Sequence, residues 1–386
     1  MNRLVYLDNA ATTPVRPEVR EAIAPYLQDE GFGNPSSAHR LGRTARAAVE
    51  QSRRKVADAL DARPEQVVFT SGGTEADNLA VLGAAIASRS RGGPFRVAVC
   101  SIEHKAVLEA ADAVVALGGE SIVLPVDPAG RVELAAATDA LASGIAVLSA
   151  MWVNNEVGIL QDVAHLAQLC HAYGTLFHTD AVQAIGKVPC SLAGLPNTCI
   201  AVSGHKIGAL KGTGALVLPQ PDVVAPLIHG GGQQRGTRPG TENVIGIVAL
   251  GTAVELAVRE LDATMRHVGR LRDELEHWLI AAVPHIHVNG TQGDRAPHIS
   301  SVSFPGIASD SLLMHLDLAD VCCSSGSACN TGTVAPSHVL SAMGVPGKLA
   351  TSAIRFSFAQ HNCKADVERV VQLLPEIVGK LLPESK

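Results

Sequence analysis

From about residue 65 onward, short apolar runs alternate with stretches of helical period. The runs Gln66–Phe69, Phe95–Cys100, Ser121–Val126, Ile145–Val153, Thr175–His178, Cys199–Val202 and Ala215–Leu218 predict strands. Between the early ones, Glu75–Ala87, Lys105–Leu117, Val132–Leu141 and Val163–Tyr173 predict helices. Strand and helix in alternation imply a mostly parallel sheet covered on both faces. Ligands of such sheets gather at the carboxyl ends of the strands. Past Gly251 the pattern changes. Glu255–Val283 reads as one long helix, with Val268, Leu271, Leu275, Trp278, Leu279 and Ala282 on one stripe and Arg270, Arg272, Asp273 and Glu274 largely off it. Shorter strands follow at Ile299–Phe304 and Ala353–Phe358, with helices around Asp310–Leu316 and Ala365–Leu374. The expected architecture is α/β: a large domain over 15–255 built on a mostly parallel seven-stranded sheet, and a smaller C-terminal α+β domain over 256–386 against which residues 1–14 pack.

The 386 residues are 47% hydrophobic and 18% charged, the balance of a chain with a well-filled interior. A net charge of −6 offers no basic face to nucleic acid, so a small-molecule or protein partner is expected. The N-terminus MNRLVYLDNAATTP lacks the apolar core of a signal peptide. No uninterrupted apolar run approaches the roughly 20 residues that cross a bilayer. A cytoplasmic setting follows, in which the eight cysteines stay mostly reduced.

The strand ends carry the candidate chemistry. The first runs into Thr70-Ser71-Gly72-Gly73-Thr74-Glu75, where glycines turn backbone N–H groups outward and a helix begins. That is an anion-binding pattern, and equally an ordinary helix cap. His104 follows the second strand and could stack on a flat ring, move protons, or lie on the surface near a helix start. Asn154, Asn155 and Glu156 follow the fourth. Asp180 and Gln183, in HTDAVQ, end the fifth; the acid could ligate a metal, act as a base, pair with a protonated ring nitrogen, or cap a helix. Ser203, His205 and Lys206 follow the sixth. A lysine in a cleft can have its amine pKa lowered and form a Schiff base. The set as a whole fits pyridoxal 5'-phosphate (PLP): an aldehyde for Lys206, a pyridinium for Asp180, and a phosphate for Thr74, Ser203 and His205.

Ten segments carry a family resemblance: YLDNAATTP, GNPSSAH, VVFTSGGTEADN, EHKAV, VNNEVG, HTDAVQAIGK, SGHKIG, GGGQQRGTRPGTENV, SSGSAC and IRFSF. In this order and over almost the whole chain, they resemble the cysteine desulfurases of NifS/IscS type, class V aminotransferases of PLP fold type I. The resemblance implies that Lys206 carries the cofactor Schiff base and Asp180 pairs with the pyridinium. It implies that His104 stacks on the ring and assists proton transfer, and that Gln183 bonds the phenolic oxygen. Gly73, Thr74, Ser203 and His205 would hold the phosphate. Thr241 would reach the phosphate of a neighbouring subunit, which makes a homodimer. Asn155 and Arg355 would hold the carboxylate of L-cysteine. The chain departs from the pattern at Gly208-Ala209-Leu210-Lys211-Gly212, where relatives often have a Gly-Pro-Lys-Gly turn.

The stretch VCCSSGSACNTG holds Cys322, Cys323 and Cys329. Their spacing lacks the paired clips of a metal site, so no metal is expected. Cys322 and Cys323 adjoin the apolar LADV, and at least one is expected to point inward. Cys329 sits among small polar residues on an expected exposed loop before a helix around Ser337–Met343. By the resemblance it takes the substrate sulfur as a persulfide and passes it to an acceptor or an iron–sulfur scaffold protein. The rival readings are a selenocysteine lyase or cysteine sulfinate desulfinase, a plain aminotransferase, and a non-enzymatic cluster scaffold.

Overall fold

The computed structural model describes residues 3–325 and 336–382. Its N-terminal elements are β1 (Val5–Tyr6), α1 (Pro17–Ile23), α2 (Arg40–Ala59), β2 (Val67–Thr70), α3 (Gly73–Ser90), β3 (Arg96–Cys100), α4 (Lys105–Ala116) and β4 (Glu120–Leu124). The middle of the chain forms α5 (Leu134–Ala142), β5 (Val147–Ser149), α6 (Val163–Ala172), β6 (Leu176–Asp180), β7 (Thr198–Ser203), β8 (Gly214–Val217) and α7 (Val244–Arg259). The remainder forms α8 (Leu261–Ala282), β9 (His287–Val288), β10 (Ile299–Ser303), α9 (Ser309–Leu318), β11 (Val321–Cys322), α10 (His338–Ala342), α11 (Gly347–Ala350), β12 (Ala353–Ser357) and α12 (Lys364–Leu381).

Seven strands form the main sheet in the order β2-β8-β7-β6-β5-β3-β4. Only β8 runs against its neighbours; the other pairings are parallel. The inner strands β5, β6, β7 and β8 are buried along their whole length, as a sheet covered on both faces requires. Successive side chains point to opposite faces. Val68, Val99, Val147, Leu176 and Ala201 thus pack on one side with α3 and α4. Phe69, Ala98, Leu148, Phe177 and Ile200 pack on the other with α2, α6 and α7.

A second, antiparallel sheet has the order β12-β10-β9. Phe356, Ile354 and Val302 from it meet Leu271, Leu275 and Leu279 of α8 and Val367, Val370 and Leu374 of α12. Val5 and Leu7 join that core, because β1 lies parallel to β11 with Val5 opposite Val321. Val339, Leu340 and Met343, late in the chain, pack instead on the core of the large sheet.

The structure differs from the sequence pattern in three places. The single helix expected over Glu255–Val283 is two, α7 and α8, joined at Glu260. The Glu260 carboxylate accepts from Arg16 at 2.8 Å, Gln360 at 2.8 Å and Arg259 at 3.0 Å. The break lets α7 pack on the large sheet and α8 on the small one. The strand expected over Ile145–Val153 pairs only as Val147–Ser149. Beyond it the Trp152 N–H still donates to Asp180 O, but Met151 and Asn155 turn to line a cavity. Finally, residues 16–60 carried no assignment, yet α2 spans 20 of them. Its buried face is built mostly of small residues, among them Gly42, Ala45, Ala48, Ser52 and Ala57, with Val49, Val56 and Arg53.

Candidate active site

A cavity of about 750 Å³ opens at the carboxyl ends of β2, β6 and β7. That size suits a cofactor with its substrate. The N-terminal residues Ala10 and Ala11 line it, as do Leu313, Cys323, Ser324, Ser325 and Arg355 from later in the chain.

One end of the cavity is built for an anion. β2 passes through Ser71-Gly72 into the first turn of α3, whose leading N–H groups have no partner within the helix. Gly73 sits so close to the segment after β6 that a Cβ would come within 2.9 Å of Val182 Cγ2. Ser203 and His205 also line the cavity. No hydrogen bond occupies the Thr74 or Ser203 hydroxyl among the described residues, whereas His205 Nδ1 lies 3.1 Å from Thr12 Oγ1. Glu75 also lines the cavity; its carboxylate accepts from Arg238 Nε at 2.7 Å and from the Ser71 N–H at 2.8 Å. Burial opposes the Glu75 charge, but these donors prevail and hold its pKa below the usual value.

Lys206 enters from the short helical turn Gly204–Lys206 that follows β7. Its Nζ donates to Ala10 O at 2.8 Å and Ala11 O at 2.6 Å. Burial, then the Arg355 charge, lower its pKa to about 8, against the pull of Asp180 and Asp8. Such an amine is partly neutral, hence nucleophilic, near neutral pH.

Asp180 ends β6, buried, with Oδ1 accepting from the Val182 N–H at 2.8 Å. Burial and the nearby Asp77 raise its pKa to about 6. His104 caps α4, its Nδ1 accepting from the Ala106 N–H at 3.1 Å, which leaves Nε2 for the cavity. The Gln183 amide is fixed from both ends: Oε1 accepts from Lys187 Nζ at 2.7 Å and Nε2 donates to Ala10 O at 2.8 Å. Arg355 donates to Asp8 Oδ1, Ser324 Oγ and Asn155 O, each at 2.8 Å. Its Nε is buried and has no hydrogen-bond partner among the described residues.

The cavity therefore gathers Gly73, Thr74, His104, Asn155, Asp180, Gln183, Ser203, His205, Lys206 and Arg355. Thr241 is exposed and does not line it. Cys329 lies outside the described residues. Cys323 lines the cavity and burial pushes its thiol pKa up; Cys322 is shifted the same way. Sequence reasoning passed over Asp8, Asp77 and Lys187. Asp77 was within reach of it, because it stands three residues after Thr74 and so shares that helix face. Asp8 acts through Arg355, distant in sequence, and gave no local signal, whereas Lys187 donates to Gln183 only four residues before it.

The aminotransferase class-V family model matches residues 5–370. The chain belongs to this family. It is 40% identical over 381 residues, 99% of this chain and 96% of its counterpart, to a protein of Dictyoglomus turgidum named "Cysteine desulfurase IscS". Among solved structures it is similar to a "NifS-like protein", with a TM-score of 0.91 and 35% identity over 98% of this chain and all of the other. It is also similar to "SspA in complex with cysteine", with a TM-score of 0.79 and 30% identity over 93% of this chain and 99% of the other. The family works with PLP, and the donor set here fits that group: free hydroxyls at a helix N-terminus, an amine of lowered pKa, and a buried carboxyl between them. Among the described residues no group of three His, Cys, Asp or Glu could hold a metal ion. No described helix is long and apolar enough to cross a membrane.

Proposed function

We propose that the chain removes sulfur from L-cysteine to give L-alanine, as a PLP-dependent cysteine desulfurase, with Cys329 as the sulfur acceptor. The observation that carries this reading is the convergence of the Lys206 amine, the Asp180 carboxyl and an anion cradle with free hydroxyls on one cavity that Arg355 also lines. Thr74, Ser203, His205 and the first turn of α3 would hold the phosphate. Asp180 would face the pyridine nitrogen, His104 would cover the ring, and Gln183 would present its amide N–H to the phenolic oxygen. Bound PLP supplies an electron sink that stabilises negative charge at the substrate Cα and so weakens the bond between Cβ and sulfur.

The residues of the chain do the rest. Lys206 would hold the cofactor's aldehyde carbon, and its free amine would take the proton from the substrate Cα. Arg355 and Asn155 orient the substrate carboxylate. The Cys329 thiolate attacks the substrate sulfur; the sulfur–sulfur bond forms as the carbon–sulfur bond breaks, and the electron pair left on carbon is protonated. The products are a Cys329 persulfide and alanine, with no outside oxidant or reductant. Ser325 lines the cavity, and four residues of chain from it to Cys329 span at most about 14 Å. Both flanks of the stretch 326–335 are anchored nearby: Ser324 to Arg355, and Ser337 to Glu156, which adjoins Asn155.

The proposal includes a homodimer. Thr241 is exposed on a loop tied to its own subunit through buried Gln234, which accepts from Arg53 at 3.0 Å and the Phe69 N–H at 3.1 Å. From there Thr241 would serve the partner's phosphate site. We assign residues 15–255 to a cofactor domain and 256–386, with 1–14, to a smaller one that carries Arg355 and Cys329. A cytoplasmic location and transfer of the persulfide to an acceptor or iron–sulfur scaffold protein complete the proposal.

The direct test is incubation with L-cysteine followed by assay of alanine. One alanine for each sulfur released supports the reading; accumulation of a keto acid that depends on an added amino-group acceptor would identify an aminotransferase instead. Two further outcomes are expected. Attachment of PLP to the apoenzyme, followed by absorbance after rapid mixing, accelerates about tenfold per pH unit below pH 8 and levels off above, as Lys206 loses its proton. A rate indifferent to pH would exclude that amine. Arg355→Lys keeps the charge but loses the planar fork, so the KM for cysteine rises about 10- to 100-fold with a smaller change in kcat, the scale of one or two charge-assisted hydrogen bonds.

A further inference from the structure

Beneath the cavity floor lies a line of buried polar groups that the proposed chemistry does not use. In the parallel pair β5–β6, Ser149 stands opposite His178. His178 and Asp180 are two residues apart on β6 and share a face. Asp77, on α3, reaches His178 from that face. Glu103 completes the line from the connection between β3 and α4. His178, Ser149 and Glu103 are fully buried, and Asp77 is 1% exposed.

The hydrogen bonds take one consistent direction. Ser149 Oγ donates to Glu103 Oε1 at 3.2 Å. With its hydrogen there, the same oxygen accepts from His178 Nδ1, 2.9 Å away. In that tautomer Nδ1 carries the hydrogen and Nε2 is left to accept. His178 Nε2 and Asp77 Oδ1 face each other at 3.5 Å, and neither has another partner. One of these two atoms must supply the proton between them, since two buried atoms left unpaired would be costly.

We propose that Asp77 is that donor: a neutral acid that gives its hydrogen to His178, at the head of a chain Asp77–His178–Ser149–Glu103 that leaves Asp180 ionised beside a neutral neighbour. Asp77 and Asp180 both line the cavity, and two negative charges there would repel each other and blur the site offered to a pyridine nitrogen. The groups facing Asp77 agree with this assignment. His178 is held neutral, burial pushing its pKa down to about 4. Glu103 is pushed well up, first by burial and then by Asp180 and Asp77. Asp77 itself rises to about 8 through burial. Asp180, lower at about 6, is held down by the hydrogen bond from the Val182 N–H and by the pull of His104. Asp77 and His178 are positioning residues, setting the charge of the group that would touch the cofactor.

The inference rests on the proposed function only for the part given to Asp180. Its test reads the protonation of His178 directly, with and without added PLP, so failure of either idea is separable. In nitrogen-15 spectra of histidine-labelled enzyme at pH 7, one histidine should show a protonated Nδ1 and a bare, hydrogen-bonded Nε2. The signal is assigned by its loss in His178→Asn or, should that variant not fold, by its shift in Ser149→Ala. Asp77→Asn should preserve the tautomer, because the amide N–H can still donate to Nε2; Asp77→Ala should not. Infrared spectra should show a neutral carboxyl band that Asp77→Asn removes and that fades in the unsubstituted enzyme as pH rises through about 8. Two protonated nitrogens on His178, or a protonated Nε2 alone, would overturn the proposal, as would a carboxyl band unchanged in Asp77→Asn.

Discussion

Lys206→Ala should abolish cysteine turnover, lowering it by about 10³-fold or more, while leaving the fold intact. Two roles disappear together: the covalent anchor for the cofactor aldehyde and the base for the Cα proton. Loss of a positioned base alone is worth about 10²- to 10⁴-fold. The structural consequence is smaller. The amine gives up two hydrogen bonds to Ala10 and Ala11, each worth about 1 kcal/mol net, and the variant no longer has to desolvate an amine beside Arg355. Lys206→Met is the companion variant, since it keeps the apolar stem. The decisive measurement is mass spectrometry after borohydride treatment, which should fix the cofactor to the native chain at the peptide holding Lys206 and leave both variants unlabelled. A labelled variant, or one that still turns over cysteine at the native rate, would remove Lys206 from the chemistry.

Cys329→Ser should separate binding from sulfur transfer. The variant keeps the cofactor and its absorbance, because none of the groups proposed to hold PLP is altered, yet sulfide release from L-cysteine falls by about 10³-fold or more, the scale of losing a nucleophile. A hydroxyl cannot take its place, being far less acidic than a thiol and unable to form the sulfur–sulfur bond. Neither can the neighbouring cysteines. Cys323 lines the cavity, but burial followed by Asp8 keeps its thiol protonated, and Cys322 is pushed the same way. A single turnover with L-cysteine, followed by mass analysis of the peptide holding residue 329, should find one added sulfur in the native enzyme and none in the variant. Added sulfur on Cys323 instead would move the acceptor role to the cavity wall.

The two variants probe groups of different legibility. Lys206 could be reached from local pattern alone, since it directly follows an apolar run that the period marks as a strand, and strand ends in a parallel sheet are where ligands sit. Asp180, Ser203 and His205 were found the same way. Arg355 carries no such mark: it lies within β12 and matters because Asp8, Ser324 and Asn155 surround it. The split of one apparent helix at Glu260 was hidden for a related reason. Helical period continues across the junction, and what ends α7 is a set of carboxylate contacts with Arg16 and Gln360, far away in sequence.

The sequence by itself determined the alternation of strands and helices, the residues that follow each strand, and the family, because periodicity and ordered motifs are properties of neighbouring residues. Tertiary structure alone decided the sheet order β2-β8-β7-β6-β5-β3-β4, the seating of Val5 and Leu7 in the core of the small sheet, and the line from Asp77 through His178 and Ser149 to Glu103. Those facts depend on which distant segments exclude water from one another, and the protonation of a buried acid is fixed by whatever that burial places beside it.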